Sequence, residues 1–326
     1  MAILRGRTRS IPWKIKDRVL SSSLRDKDKK QDCTVILQEL ALPGSEKTMF
    51  ITDVQIHLWE VNRPDRPWMK GLQRPAHRPD GFSAEEILAE MDEVGVNRAV
   101  IVPPTWVGDN NQSVLEAAAK YPSRFAVVGR FNPKAPDARE QLERWLNQAH
   151  MLGIRSTFHT KPYIDWLDDG SLDWYWKACE QFGIPVMALV PGMARKLLPI
   201  AERYPHLKVL IPHMGCSLDS RGTDAFATLD DLLGLARYPE ISVMVSAAPC
   251  YSNDPYPFRD LQPFIKRIFD TYGPRRLLWG SDLSRLKCSY RECLDHFRMS
   301  LDFLSAEDKE WILGKTLAVV LNWPEA

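Results

Sequence analysis

Little net charge, few cysteines and no long apolar run characterise this sequence of 326 residues. The 43 basic side chains balance 42 acidic ones, so no overall field attracts nucleic acid or an anionic membrane. The six cysteines are scattered without C-x-x-C spacing, which is too sparse for a disulfide scaffold and is typical of a reducing cytoplasm. No apolar run approaches the roughly 20 residues that span a bilayer. We therefore expect a cytoplasmic globular protein that binds neither nucleic acid nor membrane.

Motifs for nucleotide binding and covalent catalysis are also missing. No G-x-G-x-x-G follows a predicted strand, and no G-x-x-x-x-G-K-[ST] occurs anywhere, which disfavours a doubly wound nucleotide-binding sheet. The G-x-S-x-G elbow of serine hydrolases is absent, and the sequence offers no arranged cysteine and histidine pair. Catalysis through a covalent nucleophile is therefore disfavoured.

The amino-terminal segment, residues 1–48, differs in composition from the rest of the chain. It is rich in Arg, Lys and Ser and has no sustained apolar periodicity, so it is predicted to be a disordered or edge-packed extension. Its aspartates are unlike a transit peptide, and it contains no apolar signal-peptide core. Met49, directly before the first predicted strand, marks the start of the predicted folded domain, residues 49–326.

From Phe50 onward, eight short β-branched runs alternate with longer amphipathic segments. Such alternation indicates parallel strands joined by helices, and eight units in about 275 residues predict a closed (β/α)8 TIM barrel, an α/β fold. In the first helical segment, Ser83 and Glu86 have capping-box spacing. The predicted strands are 50–58, 98–103, 125–132, 153–159, 185–190, 208–213, 241–248 and 276–283.

The first predicted strand, FITDVQIHL, carries a polar residue at every second position. Asp53, Gln55 and His57 should share one face, because alternate residues of a strand point to the same side. The opposite face is apolar and consists of Val54, Ile56 and Leu58. If the apolar face packs against helices, the polar face should look into a binding site.

Polar residues recur where the predicted strands end, and a barrel gathers its catalytic groups there. Three of the seven histidines occupy such ends. The residues concerned are His57, Arg130, Asn132, His159, His213, Ser246 and Asp282. Each has an ordinary structural alternative: Asp282 could cap a turn, a histidine could simply pack, and Gln55 could be a hydrogen-bonding group inside the barrel.

Three stretches, DVQIHLW, HLKVLIPHMG and WGSDLSRL, together resemble the amidohydrolase-related family over residues 50–323. This family includes barrel lactonases and other hydrolases, and aromatic-acid or aminocarboxymuconate-semialdehyde-type decarboxylases. The resemblance implies that Asp282 is a general acid/base or a metal-ligand aspartate. It also implies that His213 contacts the substrate or the attacking water, and that His57 is the second histidine of an H-x-H metal pair.

Two positions depart from the metal-binding members of that family. Gln55 stands where they have His or Glu, and Val190 stands where strand five would end in His. Zinc or manganese needs three or four nitrogen, sulfur or carboxylate ligands, so His57, Asp282 and a neutral Gln55 form a poor set. Either His159 or His213 completes a site for one divalent zinc or manganese ion, or no metal is bound. The similar lactonase branch includes members that hydrolyse esters without metal.

We expect a hydrolase that acts on a small carboxylate-bearing lactone, ester or amide. Asp282 would take a proton from water as general base, while His57 and His213 donate hydrogen bonds to the developing oxyanion. The main alternative is metal-dependent, non-oxidative decarboxylation of an aromatic or muconic acid. A catalytically inactive barrel that serves as a binding module is a third possibility.

Other polar residues near the strand ends are candidates for binding a small-molecule substrate. Arg130, Lys161 and Arg285 could bind its carboxylate, with solvated surface charge as the alternative. Further candidates are Gln55, Asn132 and His159. The proline-rich loop from Arg63 to Gly81 is long enough for a lid or for a subunit contact, so a homo-oligomer stays open.

Overall fold

Eight parallel strands, arranged in sequence order, form the sheet of this computed structural model, which describes residues 49–69 and 80–324. Each strand pairs in parallel with the next one along the chain. The (β/α)8 barrel that the sequence predicts is confirmed. The strands are β1 Thr52–Ile56, β2 Arg98–Ile101, β3 Phe125–Arg130, β4 Met151–Thr157, β5 Val186–Leu189, β6 Val209–Ile211, β7 Ile241–Ser246 and β8 Leu277–Gly280.

Helices and short 3-10 turns connect the strands. The first helix begins with the predicted capping box, in which Ser83 and Glu86 bond each other's backbone amides. None of the helices in the described ranges has the length and apolarity to cross a bilayer. The helices are α1 Ala84–Val94, α2 Gln112–Lys120, α3 Ala138–Glu143, α4 Asp173–Gln181, α5 Leu198–Arg203, α6 Gly222–Ala225, α7 Leu229–Leu233, α8 Gln262–Tyr272, α9 Tyr290–Asp295, α10 Ala306–Glu310 and α11 Thr316–Val320.

Two predictions fall wholly or partly outside the described residues. The extension assigned to residues 1–48 lies outside them. The loop from Arg63 to Gly81 is described except for residues 70–79, so its predicted role as a lid or subunit contact stays a prediction.

The apolar side chains form two separate clusters. One draws a member from seven of the eight strands, and it therefore fills the inside of the barrel; it consists of Val54, Val100, Val102, Val128, Met187, Leu210, Met244 and Leu278, with Leu317 and Leu321 from the carboxyl-terminal end. The larger cluster includes Ile56 and Leu58 and packs between the strands and the surrounding helices. The barrel is thus filled by side chains at the end away from the strand carboxyl termini.

Arg98 ties the carboxyl-terminal segment to the start of the barrel. Its side chain is buried, and its two terminal nitrogens donate to the carbonyls of Pro324 at 2.7 Å and Trp323 at 2.6 Å. Nε donates to Thr52 Oγ1 at 3.1 Å, and the guanidinium stacks 4.1 Å from the Trp323 ring. One side chain therefore joins β1, β2 and the segment after α11.

Replacing Arg98 by Met is expected to lower the free energy of unfolding by about 2–4 kcal/mol, because two carbonyls and one hydroxyl lose a charged donor. Urea unfolding followed by tryptophan fluorescence measures the change. Arg144→Met is the control, since the Arg144 side chain is 72% exposed and its ion pair with Glu140 lies on the surface. An equal, small effect of both substitutions would contradict the assigned role of Arg98.

Candidate active site

A cavity of about 510 Å3 lies at the carboxyl ends of the strands. The strand ends predicted to carry chemistry therefore converge, as a barrel requires. Of the nine predicted site residues, seven line this cavity: Gln55, His57, Arg130, His159, His213, Asp282 and Arg285. Arg155, which the sequence analysis did not select, lines it as well.

The loops after β6 and β8 contain backbone conformations that residues other than glycine rarely adopt. His213 has φ 56°, Met214 has φ 56° and Asp282 has φ 51°, all in the left-handed region. Such residues cost of order 1–3 kcal/mol each and cluster at functional sites. Both strands also end earlier than predicted, at Ile211 and Gly280, so these sharp turns aim His213 and Asp282 into the cavity.

Asp282 is the central buried carboxylate of the site. It is 1% exposed, and Oδ1 lies 3.1 Å from His57 Nε2. Oδ2 lies 3.6 Å from His213 Nε2 and 3.3 Å from Arg285 Nη1. The backbone N–H of Asp282 donates to the carbonyl of Gln55 at 2.9 Å, which fixes the loop after β8 against β1.

These neighbours decide the charge of Asp282. Burial raises the pKa of this carboxyl, but protonated His57, followed by His213 and Arg285, outweighs burial and holds the pKa below its usual range. Asp282 is therefore a carboxylate at neutral pH.

A chain of hydrogen bonds fixes the tautomer of His57. Arg155 Nη1 donates to Gln55 Oε1 at 3.1 Å, so the Gln55 amide nitrogen donates to His57 Nε2 at 3.4 Å. On its other side, His57 Nδ1 donates to the carbonyl of Val102 at 2.7 Å. Neutral His57 therefore carries its hydrogen on Nδ1 and has no N–H to give to an oxyanion, whereas protonated His57 donates its Nε2–H to Asp282 Oδ1 at 3.1 Å. The predicted role of His57 as an oxyanion donor does not fit this geometry, and Gln55 is bonded to protein at both ends of its amide.

His213 has the opposite tautomer, set by Ser246 at the end of β7. The backbone N–H of His213 donates to Ser246 Oγ at 3.1 Å, which leaves the hydroxyl hydrogen to donate to His213 Nδ1 at 2.9 Å. Burial lowers the pKa of His213 to about 3, so the ring is neutral and carries its hydrogen on Nε2. That N–H points toward Asp282 and the cavity.

Replacing Ser246 by Ala is expected to lower kcat about tenfold with a small change in KM, since His213 loses the partner that selects its tautomer. Steady-state kinetics on a lactone substrate separates the two parameters. Ser242→Ala removes another buried hydroxyl from β7, four residues away, and serves as the control. Equal kinetics for the two variants would show that Ser246 has only a packing role.

Asp53 does not join the polar row predicted for the first strand. The pairing of β1 with β2 shifts register between Asp53 and Ile56, so the regular alternation is broken there. Asp53 Oδ1 accepts the backbone N–H groups of Gln55 and Ser281, both at 3.0 Å, and Oδ2 accepts the Tyr290 hydroxyl at 2.9 Å. Burial raises its pKa to about 6. Asp53 holds β1 and β8 together beneath the site.

Arg155 is the functional residue that the sequence analysis missed. It is 5% exposed, lies within β4 and is the register partner of Arg130 on β3. Burial lowers its pKa to about 9, helped by Arg130 and opposed by Asp282, so it is a cation at neutral pH. Besides Gln55, its described hydrogen-bond partner is Met187 Sδ at 3.0 Å. A charged residue in the middle of a predicted strand was the available signal.

Arg130 is a second guanidinium whose bonding is incomplete. Nη1 donates weakly to Thr157 Oγ1 at 3.4 Å. Nε is buried and has no hydrogen-bond acceptor in the described part of the chain. Burial lowers the pKa of Arg130, and the nearby Asp109 carboxylate, whose own pKa is raised by burial, opposes that shift. Buried cations of this kind need an anion, which a substrate can supply.

The remaining predicted residues take different places. His159 lines the main cavity and a neighbouring smaller one, whereas Asn132 lines only the smaller one. Lys161 lines neither of these two cavities: its side chain is 82% exposed and its ammonium lies 3.7 Å from Asp165. At the end of β5, Leu189 lines the cavity and Val190 packs into the outer core, so neither supplies a metal ligand.

The side chains present do not fit a divalent metal ion. Within residues 49–69 and 80–324, no three His, Cys, Asp or Glu side chains are arranged to hold one. The amide oxygen of Gln55 is already bonded to Arg155. The Arg155 guanidinium therefore places a positive charge where a metal ion would need electron-pair donors.

Comparison with known proteins shows which family the chain resembles in sequence. The amidohydrolase family model matches residues 52–319. An L-fucono-1,5-lactonase of Burkholderia ambifaria is 26% identical over 241 residues, which cover 73% of this chain and 82% of the relative. A 4-sulfomuconolactone hydrolase of Hydrogenophaga intermedia is 26% identical over 210 residues, covering 63% of this chain and 66% of the relative.

Solved structures show the same fold. An amidohydrolase from Burkholderia multivorans with bound zinc has a TM-score of 0.71 and 19% identity, covering 84% of this chain and 100% of the other. A 5-carboxyvanillate decarboxylase from Novosphingobium aromaticivorans, complexed with manganese, has a TM-score of 0.63 and 16% identity, covering 86% and 97%. At these identities the similarity shows a shared fold and nothing about function. The family match, which spans all eight strands and the site at their ends, confirms that the chain belongs to the amidohydrolase family.

Proposed function

We propose that this protein hydrolyses a small anionic lactone and that it does so without a metal ion. The observation that carries the proposal is a buried carboxylate, Asp282, beside His57 and His213 in a cavity with buried guanidinium groups. Five basic side chains line the cavity, against the two acidic side chains of Asp219 and Asp282. The basic ones are Arg130, Arg155, Arg221, Arg285 and Lys287.

Two basic side chains of the cavity have different roles in binding the substrate. Arg130, whose buried Nε has no acceptor in the described part of the chain, binds the substrate's own carboxylate or sulfonate. Arg155, held by Gln55, polarises the lactone carbonyl and stabilises the oxyanion, with the Nε2–H of His213 as a second donor. A fixed guanidinium thus takes the place of a Lewis-acidic metal ion.

Hydrolysis then follows from the paired bases. Water adds through its oxygen to the carbonyl carbon, and its proton passes to the Asp282–His57 pair, where Oδ1 and Nε2 lie 3.1 Å apart. The tetrahedral intermediate collapses, the ring C–O bond breaks, and the leaving alkoxide takes the proton back. The product is a hydroxy acid, and the pair returns to its starting state.

Decarboxylation is the second candidate function, and the decarboxylase among the solved structures shares the fold. Decarboxylation is disfavoured because it needs a metal ion to chelate the acid. The cationic Arg155 side chain, bonded to Gln55, disfavours a metal ion at this site. The two curated relatives described above are named as lactone hydrolases. Lactone hydrolysis is therefore the function that the site and the relatives jointly support.

A matched pair of substrates tests the proposal. A γ-butyrolactone carboxylate and its methyl ester differ in one negative charge, and a pH-indicator assay follows ring opening of both. We expect kcat/KM for the carboxylate to exceed that for the ester by at least about tenfold, the effect of one charge-assisted hydrogen bond. Equal values would remove the case for an anionic substrate, and no ring opening of either lactone would remove the case for a lactonase.

A further inference from the structure

A second cavity, of about 270 Å3, adjoins the main one. The two cavities share parts of their walls, namely Thr105, Arg130, Arg155 and His159. The two guanidinium groups therefore stand at the boundary, where an anion bound to them can be reached from both sides. The second cavity, which we call the side cavity, has no task in the hydrolysis described above.

One part of the side cavity's wall is aromatic and aliphatic, and polar side chains such as Asp109 and Thr160 line the rest. Phe158 and Leu172 are almost fully buried and form fixed parts of the wall. The rings of Tyr163 and Trp166 meet edge to face with centroids 4.9 Å apart. Lys134 Nζ lies 5.2 Å from the centre of the Trp166 ring, which braces that ring by a cation–π contact.

Three polar side chains of the same wall are already engaged with protein. Asn132 Oδ1 accepts the backbone N–H of Lys134 at 2.9 Å. Thr157 Oγ1 accepts from Arg130, and Ser156 Oγ bonds the Tyr175 hydroxyl at 2.8 Å. A polyol placed against Phe158, Leu172 and the ring faces of Tyr163 and Trp166 would lose water and gain no hydrogen bond from those surfaces, whereas an apolar ring would lose none.

We propose that the side cavity binds a planar apolar substituent of the substrate, of the aryl or conjugated alkenyl class. This inference rests on the proposed function, since the substituent is carried by the acid whose anionic group lies on Arg130 and whose reacting carbonyl lies on Arg155. Benzene fits in a cavity of about 150 Å3, so a ring of that size can be accommodated. The enzyme then prefers aryl-bearing acids to polyol acids of similar length.

Binding of two simple acids tests this without turnover. Isothermal titration calorimetry of the full chain with phenylacetate and with gluconate compares an aryl acid and a polyol acid. We expect phenylacetate to bind about tenfold more tightly, from burial of one apolar group. Equal affinities, or tighter binding of gluconate, would overturn the inference even if lactones are hydrolysed.

Two tryptophan variants locate the ring. Trp166→Ala should reduce the preference for phenylacetate over gluconate about tenfold. Trp174→Ala is the matched control, because Trp174 stacks on Arg139 with its guanidinium 4.5 Å from the ring centre and lines neither cavity among the described residues. An equal change in both variants would also overturn the inference. If the aryl preference holds but no lactone is opened, the proposed function fails instead.

Discussion

Replacing Asp282 by Asn is expected to lower kcat for lactone hydrolysis by about 10³-fold or more, the scale of a lost general base. The amide cannot take a proton from water, and it cannot stabilise protonated His57 at 3.1 Å. The measurement is single-turnover and steady-state kinetics on the variant at the pH where the wild type is most active.

The same variant should keep its fold. Asn has the size of Asp, and the backbone N–H of residue 282 still donates to the carbonyl of Gln55. A circular dichroism melt checks this. A folded variant with kcat within a few-fold of wild type would contradict the assignment of Asp282 to the base.

Replacing Arg155 by Met is expected to lower kcat/KM by about 10²–10³-fold, because the oxyanion loses a buried cationic donor. Unlike most core substitutions, this one should leave stability unchanged or raise it, since it removes a buried cation that has no described carboxylate partner. Kinetics and urea unfolding on the same preparation measure both effects.

A control arginine shows the reverse pattern. Arg124→Met removes hydrogen bonds to Asn97 and Asp92 on the other end of the barrel, so it should cost stability and leave kinetics intact. Arg155→Lys should recover part of the lost rate, because it restores charge but not the planar fork. If Arg155→Met only destabilised the protein, its role would be structural.

The barrel was predictable because its signal is local and repeated. Eight β-branched runs separated by amphipathic segments fix strand number and parallel pairing, and the capping box at Ser83 marks where α1 begins. Less was predictable where single residues break a pattern. Helix α3, which begins at Ala138, is only six residues long. His150, at φ 67°, then turns the chain so that β4 begins at Met151.

Site residues at the ends of strands could be predicted from the sequence, and site residues within strands could not. His57, His213 and Asp282 stand at or just beyond strand ends, and all line the cavity. Arg155 lies inside β4, so its neighbour Gln55 is known only from the closed barrel. Asp53 does not share a face with Gln55 and His57, because the pairing of β1 with β2 shifts register, and no sequence periodicity shows that shift.

Metal independence is the central claim, and activity measured against metal content tests it most directly. Purified protein is dialysed with chelator, its zinc and manganese content is determined by elemental analysis, and hydrolysis of the γ-butyrolactone carboxylate is assayed before and after metal is restored. The arrangement of Arg155, Gln55 and His57 predicts unchanged kcat/KM throughout, with no stoichiometric metal in the untreated protein. Activity that falls with chelation and returns in proportion to bound zinc or manganese would contradict it.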